Sequence, residues 1–149
     1  MFRLSVKLEY AILAVLSLII HEDAGGAPLS VRAIAEKESL SPRFLEQAMN
    51  ALKERRVIES VRGPHGGYRL SKSSTKINLA DIVFAIEGDQ TDKTDTRASS
   101  AFSSKPKILS AIAQGIDKTL QDYLAGVDFN DLARQVKLLQ EREALTYNI

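Results

Sequence analysis

The chain has 149 residues, 44% hydrophobic and 26% charged, which suits one compact domain with an extension and is too apolar for a disordered whole. It contains no cysteine, so disulfides, thiolate zinc sites and cysteine nucleophiles are excluded. The net charge of +1 points to no polyanionic partner by itself, but between positions 43 and 72 seven bases (Arg43, Lys53, Arg55, Arg56, Arg62, Arg69, Lys72) face three acids (Glu46, Glu54, Glu59), the pattern of a phosphate-contacting surface or of an ordinary solvated one.

In chain order, Ser5 to about His21 reads as a buried helix. Its apolar run, Tyr10–Ile20, is too short to span a bilayer and ends in His21-Glu22-Asp23 rather than a small-residue cleavage site, so a cytoplasmic chain without membrane contact is expected. Gly25-Gly26 and Pro28 form a loop, and residues 29–37 begin a second short element, with Val31, Ile34 and Ala35 at helical spacing. Ser41-Pro42 opens a third helix, Ser as N-cap and Pro at the first position. Leu45, Ala48, Met49 and Leu52 form its apolar stripe, while Arg43, Glu46, Gln47, Asn50 and Lys53 take the opposite face.

Residues 57–62 and 68–70, joined by Gly63-Pro64-His65-Gly66-Gly67, predict a β-hairpin. Residues 79–86 predict a short helix with Ile82, Val83 and Ile86 inward. The stretch 88–105 is rich in Ser, Thr and Asp, with Phe102 its only large apolar side chain, and reads as a flexible loop. Ser104-Lys105-Pro106 starts a long helix on which Ile108, Ile112, Ile116, Leu120 and Leu124 recur every four residues, with Leu109, Ala113 and Tyr123 beside them. Gly126 stops it, and Asp128 caps a final helix carrying Phe129, Leu132, Val136 and Leu139.

Two short helices followed by a basic hairpin is the order of a winged helix-turn-helix. The helix from Ser41 has one face to dock and one to read the major groove. Gln47 suits bidentate recognition of adenine, Arg43 suits guanine or phosphate, and Glu46 can accept from a cytosine amino group. The Pro42 start leaves backbone N–H groups free for a phosphate. In the hairpin, Arg62 can enter a narrow minor groove. Gly66 and Gly67 either let the backbone approach the DNA or simply make the turn, and His65, Arg69 and Lys72 are placed for phosphates. The candidate DNA-contacting set is Ser41, Arg43, Glu46, Gln47, Asn50, Arg62, His65, Gly66, Gly67, Tyr68 and Arg69. A winged helix that binds protein without reading DNA is the alternative. No nucleophile–base pair, P-loop or dinucleotide fingerprint appears, so no enzyme is expected.

Phe44-Leu45-Glu46-Gln47 and Val61-Arg62-Gly63-Pro64-His65-Gly66-Gly67-Tyr68-Arg69-Leu70 resemble the Rrf2 family of winged-helix transcriptional regulators, as do Ser5–Ile12 and the stretch from Ile77 to Gly88. The resemblance implies that Glu46 tunes sequence choice beside Gln47 and Arg43, that Arg62 reaches the minor groove, and that the long helix pairs with a second subunit. The implied dimer interface is Ile108, Leu109, Ile112, Ile116, Leu120, Tyr123 and Leu124, and the apolar ladder supports it independently. The expected fold is mainly α with a small β-hairpin wing: a winged helix-turn-helix domain over 1–88, a flexible loop over 89–105, and dimerisation and C-terminal helices over 106–149. The expected activity is sequence-specific regulation, as a repressor, by a homodimer on an inverted-repeat operator in double-stranded DNA.

Many members of that family hold an iron–sulfur cluster through three cysteines in the loop before the long helix. Here that loop offers Ser, Thr, Asp and Ala, with Ala98 near the place of a first ligand, and His21 and His65 lack metal-site spacing. No iron–sulfur cluster, metal or other cofactor is therefore expected, and the signal, a small-molecule or protein effector, is left open.

Overall fold

The computed structural model describes residues 3–88 and 105–148. Their elements are α1 (Val6–Asp23), α2 (Val31–Glu38), α3 (Pro42–Glu54), β1 (Ile58–Val61), β2 (Gly67–Leu70), α4 (Leu79–Glu87), α5 (Lys105–Gly126) and α6 (Phe129–Tyr147). The chain is mainly helical with one antiparallel hairpin, as its patterning predicts.

Helix α1 is the central rod. The Ser5 hydroxyl accepts the Leu8 amide at 3.2 Å and so caps it, and Ala11, Ala14, Val15, Leu18 and Ile19 are buried. Helices α2, α3, α4 and α6 all pack on it. Ser30 caps α2 through the Ala33 amide at 3.1 Å. Leu29, expected to begin that element, instead pairs its backbone with Tyr68 of the hairpin. The turn from α2 to α3 passes through Ser39 in the left-handed region, φ 55°, and the Leu40 amide donates to the Ala35 carbonyl at 2.8 Å.

The apolar stripe of α3 is realised in full: Leu45, Ala48, Met49 and Leu52 have no exposure. The helix ends at Arg55, and Arg56 takes φ 56° while Val57 N–H donates to Leu52 O at 3.0 Å. The hairpin register pairs Ile58 with Leu70, Glu59 with Arg69, Ser60 with Tyr68 and Val61 with Gly67. Alternation then sends Ile58 and Leu70 into the core. Helix α4 starts with a capping box between Asn78 and Asp81; Ile82 and Val83 are buried and Ile86 is half-buried. Asp128 caps α6 through the amides of Asn130 and Asp131, and Phe129 and Ala133 are buried in the core.

The loop expected over 89–105 falls, with Ala98 and Phe102, outside the described residues, except that its last residue, Lys105, is helical. The apolar ladder of α5 does not stay on one face. Each step of four residues advances about 40° around a helix, so the sixteen residues from Ile108 to Leu124 turn through about 160°. Ile108, Leu109, Ile112, Ile116 and Tyr123 are between 54% and 68% exposed, whereas Leu124 is 5% exposed and belongs to the chain's own core. Leu120 is half-buried against that core. Leu124 is therefore withdrawn from the expected interface, and Leu120 is partly taken up by the chain's own core.

Candidate nucleic-acid interface

Helix α3 is held at its start and along its buried side. The Tyr10 hydroxyl of α1 lies 3.4 Å from the Ser41 amide, and the half-buried Ser41 occupies the N-cap without a side-chain cap bond. The first intrahelical acceptor is the Ser41 carbonyl, which takes the Leu45 amide at 3.0 Å. The amides of the first turn thus meet no hydroxyl cap, the arrangement a phosphate can use. Arg43, Glu46, Gln47 and Asn50 are all exposed, with no side-chain hydrogen bond or ion pair to any of them among the described residues.

The hairpin divides the expected wing residues in two. Arg62 and His65 are exposed at the turn and have no ion-pair partner among the described residues. Arg69 differs from expectation: its cross-strand neighbour Glu59 accepts from its Nε at 2.6 Å, so its charge is offset within the wing. Lys72 donates to Asp81 Oδ2 at 2.8 Å and ties the segment after the wing to the capping box of α4. Tyr68 is half-buried; its N–H donates to Leu29 O at 2.7 Å and its carbonyl accepts the Leu29 amide at 3.0 Å, which spends its backbone on anchoring the wing.

The two wing glycines also have intrachain reasons. A Cβ on Gly66 would strike the Val61 carbonyl oxygen across the tight turn. One on Gly67, which has φ +153°, would strike the Leu29 carbonyl oxygen and lie 2.5 Å from its carbon and 2.8 Å from the Ser30 nitrogen. Crowding by the chain itself thus requires glycine at both positions, whether or not DNA approaches them. Of the expected set, Arg43, Glu46, Gln47, Asn50, Arg62 and His65 are exposed with no ion pair among the described residues, Ser41 sits at the helix start, and Gly66, Gly67, Tyr68 and Arg69 also hold the hairpin.

Three positioning residues carry no sequence signal: Tyr10, Leu29 and Glu22. The Glu22 carboxylate, in the last turn of α1, accepts the Leu70 amide at 2.7 Å and fastens the wing to the rod. Elsewhere, a cavity of about 400 Å³ opens between the chain start, α4 and α5, lined mainly by apolar side chains such as Leu8, Val83, Phe84 and Leu120, with Arg3, Glu87 and Asp117 among its polar groups. No helix among the described residues is long and apolar enough to cross a membrane.

Comparison with known proteins agrees with this geometry. The chain is 33% identical over 134 residues to a protein of Neisseria meningitidis serogroup A named as an HTH-type transcriptional regulator, covering 89% of this chain and 88% of that one. It is 28% identical over 138 residues to IscR, an HTH-type transcriptional regulator of Photorhabdus laumondii, covering 92% and 82%. Among solved structures it is similar to T. potens IscR (TM-score 0.73, 26% identity, 93% and 91% covered) and to CymR, the global cysteine regulator of B. subtilis (TM-score 0.69, 26% identity, 91% and 98% covered). The profile of the Rrf2 family, described as iron-dependent transcriptional regulators, matches residues 4–135, and the chain belongs to that family of DNA-binding regulators, whose members are not enzymes.

Proposed function

We propose that this protein is a cytoplasmic repressor that binds an inverted-repeat operator as a homodimer and works without an iron–sulfur cluster. The observation that carries the DNA reading is the division of α3. Its apolar side is wholly inside the protein, while Arg43, Gln47 and Asn50 stand in solvent with no partner among the described residues. Unpaired reading groups on a rigid helix are what base-edge recognition needs.

The dimer reading rests on α5. Every residue from Lys107 to Thr119 is exposed, yet the segment carries Ile108, Leu109, Ile112 and Ile116. A helix of about 12–15 residues with nothing packed on it is marginal in water; no described residue covers this stretch, and a second α5 supplies a surface of matching pattern. Two copies then present two recognition helices, which favours half-sites about one helical turn apart. A dimer seated across a promoter acts most simply by occluding it.

The residues present do not fit a thiolate-ligated cluster: the chain has no cysteine, and the described residues contain no group of three metal-ligating His, Asp or Glu. Oxygen donors of Ser, Thr and Asp are poor ligands for iron–sulfur centres. Regulation would then come from a small molecule or a protein partner, and the cavity between α4 and α5 has the size for a small ligand.

The test is selection of genomic fragments with purified protein, followed by titration of a recovered duplex at different salt concentrations. With four phosphate contacts, affinity falls about a hundredfold between 50 and 200 mM salt. Salt-independent association, or no bound fragment at all, assigns the protein to the winged helices that bind only protein.

A further inference from the structure

Between Lys7 and Gly88 a single large hydrophobic side chain is exposed, that of Phe44, at 55%. The other exposed large apolar residues of the winged-helix body, Leu4 and Val6, lie at the chain start, away from α3 in sequence, and the rest that are described are buried or half-buried. The exception falls in the first turn of α3, next to Arg43 and three positions before Gln47. At about 100° per residue, Arg43, Gln47 and Asn50 lie opposite the buried stripe, and Phe44 lies on the flank of that outward face, an i,i+3 neighbour of Gln47.

We infer that Phe44 is a specificity-determining residue that reads the C5-methyl group of a thymine beside the base pair engaged by Gln47. The inference rests on the major-groove reading of α3. A phenyl ring can neither bond a phosphate nor pair with a base edge. The thymine methyl is the one apolar substituent that the four base pairs project into the major groove, and Phe is among the side chains that contact it. Residues three apart rise about 4.5 Å along the axis and base pairs are stacked at about 3.4 Å, so the thymine lies within one or two steps of the Gln47 base. The ring does not belong to the apolar surface assigned to the dimer, which is carried by α5 rather than α3.

Deoxyuridine differs from thymidine only by that methyl group, which makes the test direct. Each thymine of the selected operator is replaced in turn by deoxyuridine, symmetrically in both half-sites, and binding of the full-length dimer is measured by fluorescence anisotropy. Removing one buried methyl per half-site lowers wild-type affinity about fourfold each, or about fifteenfold for the symmetric pair. Phe44→Ala responds to that replacement less than twofold, and Phe44→Leu, which keeps an apolar side chain there, retains most of the response. Equal sensitivity of wild type and Phe44→Ala at every thymine, or a wild type indifferent to all replacements, overturns the inference and leaves the DNA reading standing. A wild type that binds no duplex overturns both. Because the ring is exposed, unfolding curves of the two variants should match the wild type, so a weakened response reports on the methyl group and not on unfolding.

Discussion

Replacing Gly67 by alanine decides between two reasons for a glycine in the wing. In the structure the added methyl would collide with the backbone of Leu29, 2.5 Å from its carbonyl carbon, at a φ of +153° that side-chain-bearing residues rarely adopt. If the wing stays in place, the backbone strain costs about 1–3 kcal/mol. If it shifts to relieve the collision, the pair of hydrogen bonds between Leu29 and Tyr68 breaks, at about 1 kcal/mol each. On either path the expected destabilisation is about 1–3 kcal/mol, which moves a urea midpoint down by about 0.5–1.5 M at a slope near 2 kcal/mol per M. Equilibrium urea unfolding followed by circular dichroism, at fixed protein concentration, reads this directly. A glycine kept only so that DNA can approach would behave otherwise: Gly67→Ala would unfold with the wild type and fail only in DNA binding. A midpoint within about 0.3 M of the wild type would refute the crowding argument.

Four further outcomes rest on the same geometry. Gln47→Ala should lose about 1–3 kcal/mol on the selected operator and little on random duplex, by anisotropy titration. Arg62→Ala should lose about 1.5–3 kcal/mol, most on operators with a narrow A·T-rich minor groove, which a panel of flanking sequences would show. Ser39→Gly, at a φ of 55°, should raise stability by about 0.5–1 kcal/mol in urea, since glycine occupies that region without the steric penalty. Ile112→Glu should weaken self-association about a hundredfold or more, as two apolar side chains per dimer lose their burial, and sedimentation velocity would show a monomer at micromolar concentration.

The parts of this fold that can be read from the residues alone are those set by local rules. The spacing of Leu45, Ala48, Met49 and Leu52 specifies both the face of α3 that docks and the face that reads. Asp128 before Phe129 is a cap legible from the residue type. What stays hidden depends on partners distant in the chain. Arg69 and Lys72 read as free cations until the strand register puts Glu59 beside one and the start of α4 puts Asp81 beside the other. Gly67 leaves a turn and an approach by DNA both open in the sequence, and the backbone of Leu29, far earlier in the chain, adds a reason that neither reading contained. Leu124 reads as an interface residue because its four-residue repeat drifts around the helix, and only the packing of α5 on α4 shows where the turn goes inward.

The bare stretch Lys107–Thr119 carries one more implication. In the proposed dimer this helix leans on its twin and is completed by mass action, so the melting temperature of this regulator should climb with total protein concentration. At few copies per cell the second-order step dominates, and operator occupancy then varies with the square of expression level. A modest change in synthesis or turnover would switch its promoters sharply, with no need for cooperative contacts between adjacent operators.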